Sequence, residues 1–391
     1  MKKAILKTSG MLLVVGLAFT AMLFGCKHKT AQKTEAEQQT ESVNPAIFTT
    51  DGNGKITGYT CSSEELPKNL VIPAKIGDEV ITSIGDSAFR DCTGLTSVSL
   101  SRCTSLTSIG ENAFEGCSGL TSVSFPASLT SIGWGAFARC SGLTSVSFPA
   151  SLTSIGLGAF AVCSGLTSVS FPASLTSIGG SAFARCSGLT SVSFPASLTS
   201  IGRSAFYKCS GLTSITVDNG NSTYKAVDNV VYTKDGTTLV FAAGGLTSVT
   251  IPNTVTSIGS SAFSGCRGLT SVSLPASLTS IGDSAFSGCS SLTSVSFPAS
   301  LTWIGDSAFS GCSRLTSVNF PASLTSIGKE AFLICYNLTS ATFADATGWA
   351  VYDDDKHENK AADIQQSDLA NPATAAKYLC SNYRTEWWKK N

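Results

Sequence analysis

The stretch LTSVSFPASLTSIGWGAFARCSG, residues Leu120–Gly142, decides how the rest of this chain folds. It returns with few changes, and eight copies keep a spacing of 23 residues. The copies begin at Leu120, Leu143, Leu166, Leu189, Leu246, Leu269, Leu292 and Leu315. One unit has too few apolar residues to form a core alone, but stacked units bury one continuous core. The sequence therefore predicts a solenoid, in which each coil contacts its neighbours.

Each unit opens with the L-x-x-L-x-L spacing of leucine-rich repeats, and its length lies in their range of roughly 20–29 residues. Alternation over Leu120–Phe125 predicts a short strand, which Pro126 ends because proline has no N–H to donate. A shorter extended piece follows, and Ala136 and Phe137 are expected to fill the core from a helical turn. The predicted fold is a curved, β-rich leucine-rich-repeat solenoid of about eleven coils with a cap at each end. Its concave sheet is parallel, and its turns are short helical or 3-10 segments.

The N-terminal segment, residues 1–25, has the features of a lipoprotein signal peptide. Lysines precede the short apolar stretch Met11–Phe24, and the segment ends in Leu23-Phe24-Gly25-Cys26. This ending resembles the lipobox of bacterial lipoproteins, in which the cysteine is lipidated. The prediction is a membrane anchor at Cys26, because several acyl chains hold a protein stably on a membrane. An ordinary export signal with a chance cysteine is the alternative.

The remaining chain divides into four further parts. Residues 26–43 are polar and aperiodic, which predicts a flexible tether. Residues 44–66 contain a hairpin signal and should cap the first coil. The solenoid is expected over 67–343, with a hairpin insertion at about 217–245 in a coil that is longer than the others. Residues 344–391 are predicted to form a C-terminal cap or tail.

Two features of this last part are specific. Asn371 and Pro372 predict the start of a helix, as N-cap and first helical residue. The acidic run Asp353–Glu358 lacks the regular ligand spacing of a calcium loop, so a solvated loop is the favoured interpretation.

The chain contains fourteen cysteines, and ten of them share one repeat position. These are Cys92, Cys117, Cys140, Cys163, Cys186, Cys209, Cys266, Cys289, Cys312 and Cys335. At a repeated core position cysteine acts as a small buried hydrophobe, and parallel Cβ vectors in stacked coils disfavour bridging. We therefore expect mostly free thiols, with Cys61 and Cys103 as a weak disulfide candidate.

Several functions are disfavoured by composition. The chain has 26 basic and 26 acidic residues, and this balance argues against nucleic-acid binding. The only histidines are His28 and His357, so the repeats contain no Ser-His-Asp or Cys-His pair. A 23-residue cysteine spacing without histidine partners does not predict a metal cluster. The sequence predicts no catalytic residue, no metal and no cofactor.

Comparison of the copies shows where specificity can lie. They differ chiefly at the two residues after Ile-Gly and the two residues after Ala-Phe, which we call ridge positions 1 to 4. Between Leu120 and Gly211 these positions hold aromatic, apolar and basic residues, the types enriched in binding hot spots. The candidate partner-binding residues are Trp134, Arg139, Leu157, Val162, Arg185, Arg203, Tyr207 and Lys208. Drift at exposed positions is the competing interpretation, and the uniform Ser/Thr rows are the competing surface.

The pattern L-x-x-V-x-F-P-x-x-L-x-x-I-G-x-x-A-F-x-x-C, as in Leu143–Cys163, resembles the BspA-like bacterial leucine-rich repeats. The resemblance covers roughly residues 45–345. It implies a bacterial surface or secreted protein. With the predicted anchor at Cys26 and no predicted catalytic residue, we expect a non-enzymatic, lipid-anchored protein on the outer surface of the cell. The expected role is an adhesin that binds host matrix or cell-surface proteins, or other bacteria. The alternative is a periplasmic, envelope-associated structural or glycan-binding module.

Overall fold

The computed structural model describes residues 44–390. The predicted signal peptide, the lipidation site Cys26 and the predicted tether lie outside the described residues. Within 44–390, none of the helices combines the length and the apolar character that crossing a membrane requires.

The described chain is a parallel-strand solenoid with little helix, which confirms the predicted leucine-rich-repeat fold. Each regular coil contributes a two-residue strand from its Ser-Ile pair. These strands stack in register, Ser131 on Ser154 and Ile132 on Ile155 for example. They are Ser83–Ile84, Ser108–Ile109, Ser131–Ile132, Ser154–Ile155, Ser177–Ile178, Ser200–Ile201, Ser257–Ile258, Ser280–Ile281, Trp303–Ile304 and Ser326–Ile327.

A second set of parallel strands comes from the Ser-Val-Ser part of the repeat. These are Asn69–Val71, Ser97–Ser99, Ser122–Ser124, Ser145–Ser147, Ser168–Ser170, Ser191–Phe194, Ser214–Val217, Ser248–Thr250, Ser271–Ser273, Ser317–Phe320 and Ser340–Phe343. They form several separate sheets of two to four strands, whereas the Ser-Ile strands belong to sheets of eight and ten strands. The shorter extended piece of the repeat therefore carries the longer ladders.

The segment after Ile-Gly is a run of turns and not a helix. Local bonds of the 3-10 type are present, such as Ala138 N–H to Gly135 O at 2.9 Å. Gly135 and Arg139, however, have φ angles of 59° and 63°, and this left-handed backbone prevents a helix from propagating. Phe137 N–H instead donates to Ala159 O of the next coil at 2.8 Å. The segment that was expected to be a helical turn therefore forms a third ladder of hydrogen bonds between coils.

Stacked phenylalanine rings form the centre of the core. From Phe89 to Phe206 the repeat's phenylalanines stack with centroid spacings of 5.2–5.5 Å. A second stack runs from Phe263 to Phe332. The buried core correspondingly separates into two clusters that meet near the insertion.

The ladder cysteines are buried free thiols, as expected. Except for Cys92, their thiols also donate to backbone carbonyls of the preceding coil, as from Cys140 to Phe114 O at 3.2 Å. The disulfide candidate was wrong: Cys61 and Cys103 are both free. The Cys103 thiol instead lies 3.4 Å from Pro73 O, where it satisfies a carbonyl of the irregular first coil.

Antiparallel strands close the N-terminal end of the solenoid. After a 3-10 turn at Pro45–Ile47, strands Phe48–Thr50 and Lys55–Tyr59 form a hairpin that pairs with the first Ser-Ile strand. A small hairpin, Lys75–Ile76 with Glu79–Val80, belongs to the irregular first coil.

Strands and short helices close the C-terminal end. Strand Trp387–Lys390 pairs with the last Ser-Ile strand and buries Trp388. Asn371 caps the expected helix, accepting bonds from the N–H groups of Ala373 and Thr374. The remaining elements are strands Trp349–Tyr352 and Lys360–Asp363, helices Gln366–Leu369 and Pro372–Lys377, and the π-helical turn Tyr378–Asn382.

We predict that Phe183→Ala lowers the free energy of unfolding by about 3–5 kcal/mol, because Phe183 is fully buried between two stacked rings. Urea denaturation measures the change. The control is Leu157→Ala, which truncates an exposed apolar side chain and should change stability by about 0.5 kcal/mol or less. Equal effects of the two substitutions would contradict the stacked core.

Candidate interaction ridge

The four ridge positions lie side by side on successive coils. The N–H groups at positions 2 and 4 donate to the next coil, as from Gly135 to Leu157 O at 2.9 Å and from Arg139 to Ala161 O at 2.7 Å. Residues distant in sequence thereby form rows along the solenoid. We call the strip formed by these rows the ridge.

Six of the eight predicted binding residues are exposed on the ridge: Trp134, Arg139, Leu157, Val162, Arg185 and Arg203. Tyr207 and Lys208 are half-buried, with the Lys208 ammonium 5.0 Å from the centroid of the Tyr207 ring. That cation–π contact pairs the two side chains with each other. The structure thus places all eight on one strip of the surface, while their role in binding stays a prediction.

Backbone geometry constrains half of the ridge positions. Position 2 has a left-handed φ of 53–60° in ten coils, and position 4 has a φ of 56–79° in the same ten. Position 2 is mostly serine, glycine or asparagine, which suits this backbone. Position 4 is glycine in several coils but holds Arg139, Val162, Arg185 and Lys208 in four consecutive ones. The small residues at position 2 are the sequence signal for this backbone constraint.

Aspartate has a structural role at position 1. Asp283 Oδ1 accepts a hydrogen bond from Asp306 N–H at 3.1 Å, and Asp306 Oδ1 accepts one from Lys329 N–H at 3.0 Å. Asp86 does the same for Glu111 N–H at 2.8 Å. Burial, followed by the nearby Asp283 carboxylate, raises the pKa of Asp306. The acidic character of the later coils is therefore explained by bonding between coils.

Trp134 and Leu157 occupy this same position without making that bond, because neither side chain has an acceptor. Their side chains are 51% and 52% exposed and lean over the next coil. A Cβ on Gly158 would contact the indole of Trp134, and a Cβ on Gly180 would contact Leu157 Cδ1. Two coils thus carry large exposed apolar groups where aspartate would satisfy the backbone.

Basic side chains flank these apolar groups. Position 4 of three consecutive coils holds Arg139, Val162 and Arg185, and Val162 is 38% exposed. We call Trp134, Leu157, Val162, Arg139 and Arg185 the ridge patch. Exposed aromatic and aliphatic groups beside arginines suit a protein surface that carries apolar and acidic groups.

Within 44–390 there is no cluster of three potential metal ligands. Burial raises the pKa of the Cys140, Cys186 and Cys312 thiols to about 12, which makes them poor nucleophiles near neutral pH.

Residues 59–187 and 238–348 match the family described as BspA type leucine-rich repeat region, in six copies. The match covers more than half of the chain, and the protein belongs to this family. Leucine-rich-repeat proteins of this kind are generally binding scaffolds and not enzymes. No curated protein matches the chain.

Solved structures of bacterial proteins have the same fold. The pneumococcal vaccine antigen PcpA is 26% identical with a TM-score of 0.69, over 77% of this chain and 79% of PcpA. A leucine-rich cell surface protein of Faecalibacterium prausnitzii is 31% identical with a TM-score of 0.63, over 76% of this chain and 86% of that protein. A leucine-rich repeat protein of Eubacterium ventriosum is 25% identical with a TM-score of 0.51, over 76% and 75%. The chain thus shares its fold with these bacterial leucine-rich-repeat proteins.

We predict that Val162→Gly raises stability by about 1 kcal/mol, because a β-branched residue with φ 64° is strained. The matched control is Val169→Gly in the strand Ser168–Ser170, which should lower stability. Thermal and urea denaturation measure both. If both substitutions destabilise the protein equally, the left-handed backbone at Val162 does not strain this residue.

We also predict that the ladder cysteines other than Cys92 stay unreactive toward a thiol reagent at pH 8 until the protein unfolds. Their raised pKa values leave little thiolate, and burial excludes the reagent. Labelling followed by mass spectrometry checks this, with the denatured protein as the control. Rapid native labelling of Cys140 or Cys186 would contradict the buried ladder.

Proposed function

We propose that this protein is a non-enzymatic surface interaction protein, an adhesin that binds host matrix or cell-surface proteins or other bacteria through the ridge patch. A lipid anchor at Cys26 would hold it on the outer surface of the cell envelope. The proposal takes its class of function from the family and its site from the chain's own residues.

One observation carries the choice of site. Aspartate at position 1 accepts a hydrogen bond from the next coil. Trp134 and Leu157 occupy this position instead and expose about half of their side-chain surface. Exposed tryptophan and leucine contribute nothing to the core, and solvent disfavours them. Side chains retained without a structural benefit are the expected anchors of an interface.

The charges near the patch favour a particular kind of partner. Arg139 and Arg185 lie on the ridge without an ion-pair partner within the described residues, and both are exposed. Arginine can pair with two carboxylate oxygens at once. An acidic protein face with a central apolar group complements this surface.

The test is the double substitution Trp134→Asp with Leu157→Asp. Stability should hold or rise by about 0.5–1.5 kcal/mol, because each aspartate can accept the bond that its equivalents accept. Binding should fall by about tenfold or more, since hot-spot truncation costs at least ~2 kcal/mol. The measurement is recovery of host matrix and serum proteins by the full-length chain, followed by the affinity for each recovered protein.

Two controls separate charge from position. Trp134→Ala with Leu157→Ala should weaken binding without adding charge, whereas Val227→Asp, on the exposed insertion hairpin, should leave it unchanged. Undiminished binding by both double variants, with the fold intact, would exclude the patch as the site.

The cellular location has a separate test. Protease added to whole cells should degrade the solenoid if the protein faces outward. Full protection in intact cells, together with degradation after the envelope is opened, would support the periplasmic envelope role in place of the adhesin.

A further inference from the structure

The coil that carries the insertion lacks part of the repeat's turn. Leu239 pairs with Ile258 in the Ser-Ile ladder and so occupies the isoleucine position. Eleven residues lead from Ile258 to Leu269, but only seven lead from Leu239 to Leu246. Four residues of the Gly-x-x-Ala-Phe-x-x-Cys segment are therefore missing from this coil.

The insertion compensates for one missing group. Its strands are Tyr224–Val227, Val230–Thr233 and Thr238–Ala242. Phe241, from the third strand, stacks on Phe206 with a centroid distance of 4.9 Å and fills the repeat's phenylalanine place. The segment that should hold ridge positions 1 and 2 has no replacement.

A cleft of about 340 Å³ opens where those residues are missing. Its walls are the turns of the coils on either side, with Ser204 and Phe206 on one wall and Ser260 and Ser261 on the other. The Ser204 and Ser261 hydroxyl oxygens lie 2.8 Å apart, and Lys208 N–H donates to Ser264 O at 3.4 Å. The two coils are thus in contact on one side of the cleft. They are apart at ridge position 1, where the cleft opens. The volume lies in the lower part of the range of ligand sites, roughly 300–1,000 Å³.

The walls of the cleft expose backbone N–H and C=O groups whose equivalents in regular coils form hydrogen bonds between coils. One coil earlier, Ser181 N–H donates to Arg203 O at 3.0 Å and Phe183 N–H donates to Ala205 O at 2.8 Å. The equivalent donors beside the cleft, Ser204 N–H and Phe206 N–H, have no acceptor within residues 44–390. On the facing wall, Ser260 O likewise receives no donor from the described chain.

The mouth of the cleft combines apolar and charged groups. Trp303 lines the cleft and is 38% exposed. Arg203 reaches across to Asp283, with Nη1 3.6 Å from Oδ2 and the arginine side chain 82% exposed. Because exposed ion pairs contribute about 0–1 kcal/mol, this pair closes the mouth only weakly.

We propose that this cleft binds an extended segment of a partner polypeptide, which completes the missing turn. The segment's carbonyls accept from Ser204 and Phe206 N–H, and one of its N–H groups donates to Ser260 O. Main-chain bonds to an incomplete ladder are a recurring mode of peptide recognition, with pockets for side chains adding specificity. An apolar side chain at position 1 leans toward the next coil, as Leu157 does, and here lies toward Ser260 in the cleft that Trp303 also lines. The segment thus has one apolar residue among small ones.

The repeat itself supplies the probe. Gly156–Ala159, Gly-Leu-Gly-Ala, contains ridge positions 1 and 2 of a regular turn, which the insertion coil lacks. The blocked tetrapeptide acetyl-Gly-Leu-Gly-Ala-amide, titrated into the full-length chain, should shift the Trp303 indole N–H resonance in a saturable way. The same peptide with the second glycine N-methylated loses one donor and should bind about tenfold more weakly.

Two protein variants locate the binding. Val240 lines the cleft and is half-buried, so Val240→Trp should fill it and abolish the shift. Val227→Trp, on the same hairpin but outside the cleft, should bind the peptide like the unmodified chain. The proposal is wrong if the peptide does not bind the unmodified chain, if N-methylation has no effect, or if Val240→Trp binds equally well. Displacement of the peptide by maltohexaose would assign the cleft to sugars and overturn the proposal.

The site shares with the proposed function only the class of ligand, a polypeptide. Trp134→Asp with Leu157→Asp leaves the cleft intact, and Val240→Trp leaves the ridge patch intact. Failure of one site therefore does not imply failure of the other.

Discussion

Hydrogen bonds between successive coils hold this molecule together, and the repeat positions are chosen to make them. Thr130 donates to Thr107 O with both its N–H, at 2.9 Å, and its hydroxyl, at 3.0 Å. Ser151 Oγ reaches Leu129 O of the preceding coil at 2.6 Å. Buried backbone groups must be paired, and a solenoid of short strands supplies the partners from neighbouring coils. The serine and threonine rows are thus structural, which weakens them as a binding surface with its own specificity.

The same constraint explains what remains free to vary. A 23-residue unit in register keeps each phenylalanine on the next and each cysteine thiol on a backbone carbonyl. Ridge position 1 faces solvent and keeps an ordinary backbone, so its side chain is optional once the coil has formed. Trp134 and Leu157 use that freedom, whereas Asp283 and Asp306 use it for a further bond between coils. In the insertion coil, where part of the turn is missing, backbone N–H groups at and near Phe206 have no acceptor within the described residues.

Repetition made most of the fold predictable, because residue types that recur at the same position of every copy indicate which positions form the coil. The coil, its buried positions, the hairpin of the N-terminal cap, the helix that Asn371 caps and the free ladder thiols follow from spacing and residue type. The turn conformation did not follow, since alternating left-handed residues at Gly135 and Arg139 depend on bonds to the next coil. The Cys61–Cys103 candidate failed because sequence does not place a cysteine relative to a carbonyl such as Pro73 O. The hairpin was visible in the sequence, but the cleft required knowing that Leu239 takes the isoleucine place.

We propose that partner recognition lies on the ridge and not on the serine and threonine rows. Hydrogen–deuterium exchange of the full-length chain, with and without a host matrix protein that it binds, tests this most directly. We expect slower exchange in the turns at 133–140 and 156–163 on binding, with the Ser-Val-Ser strands unchanged. Protection confined to the Ser-Val-Ser strands, with the turns unaffected, would contradict it.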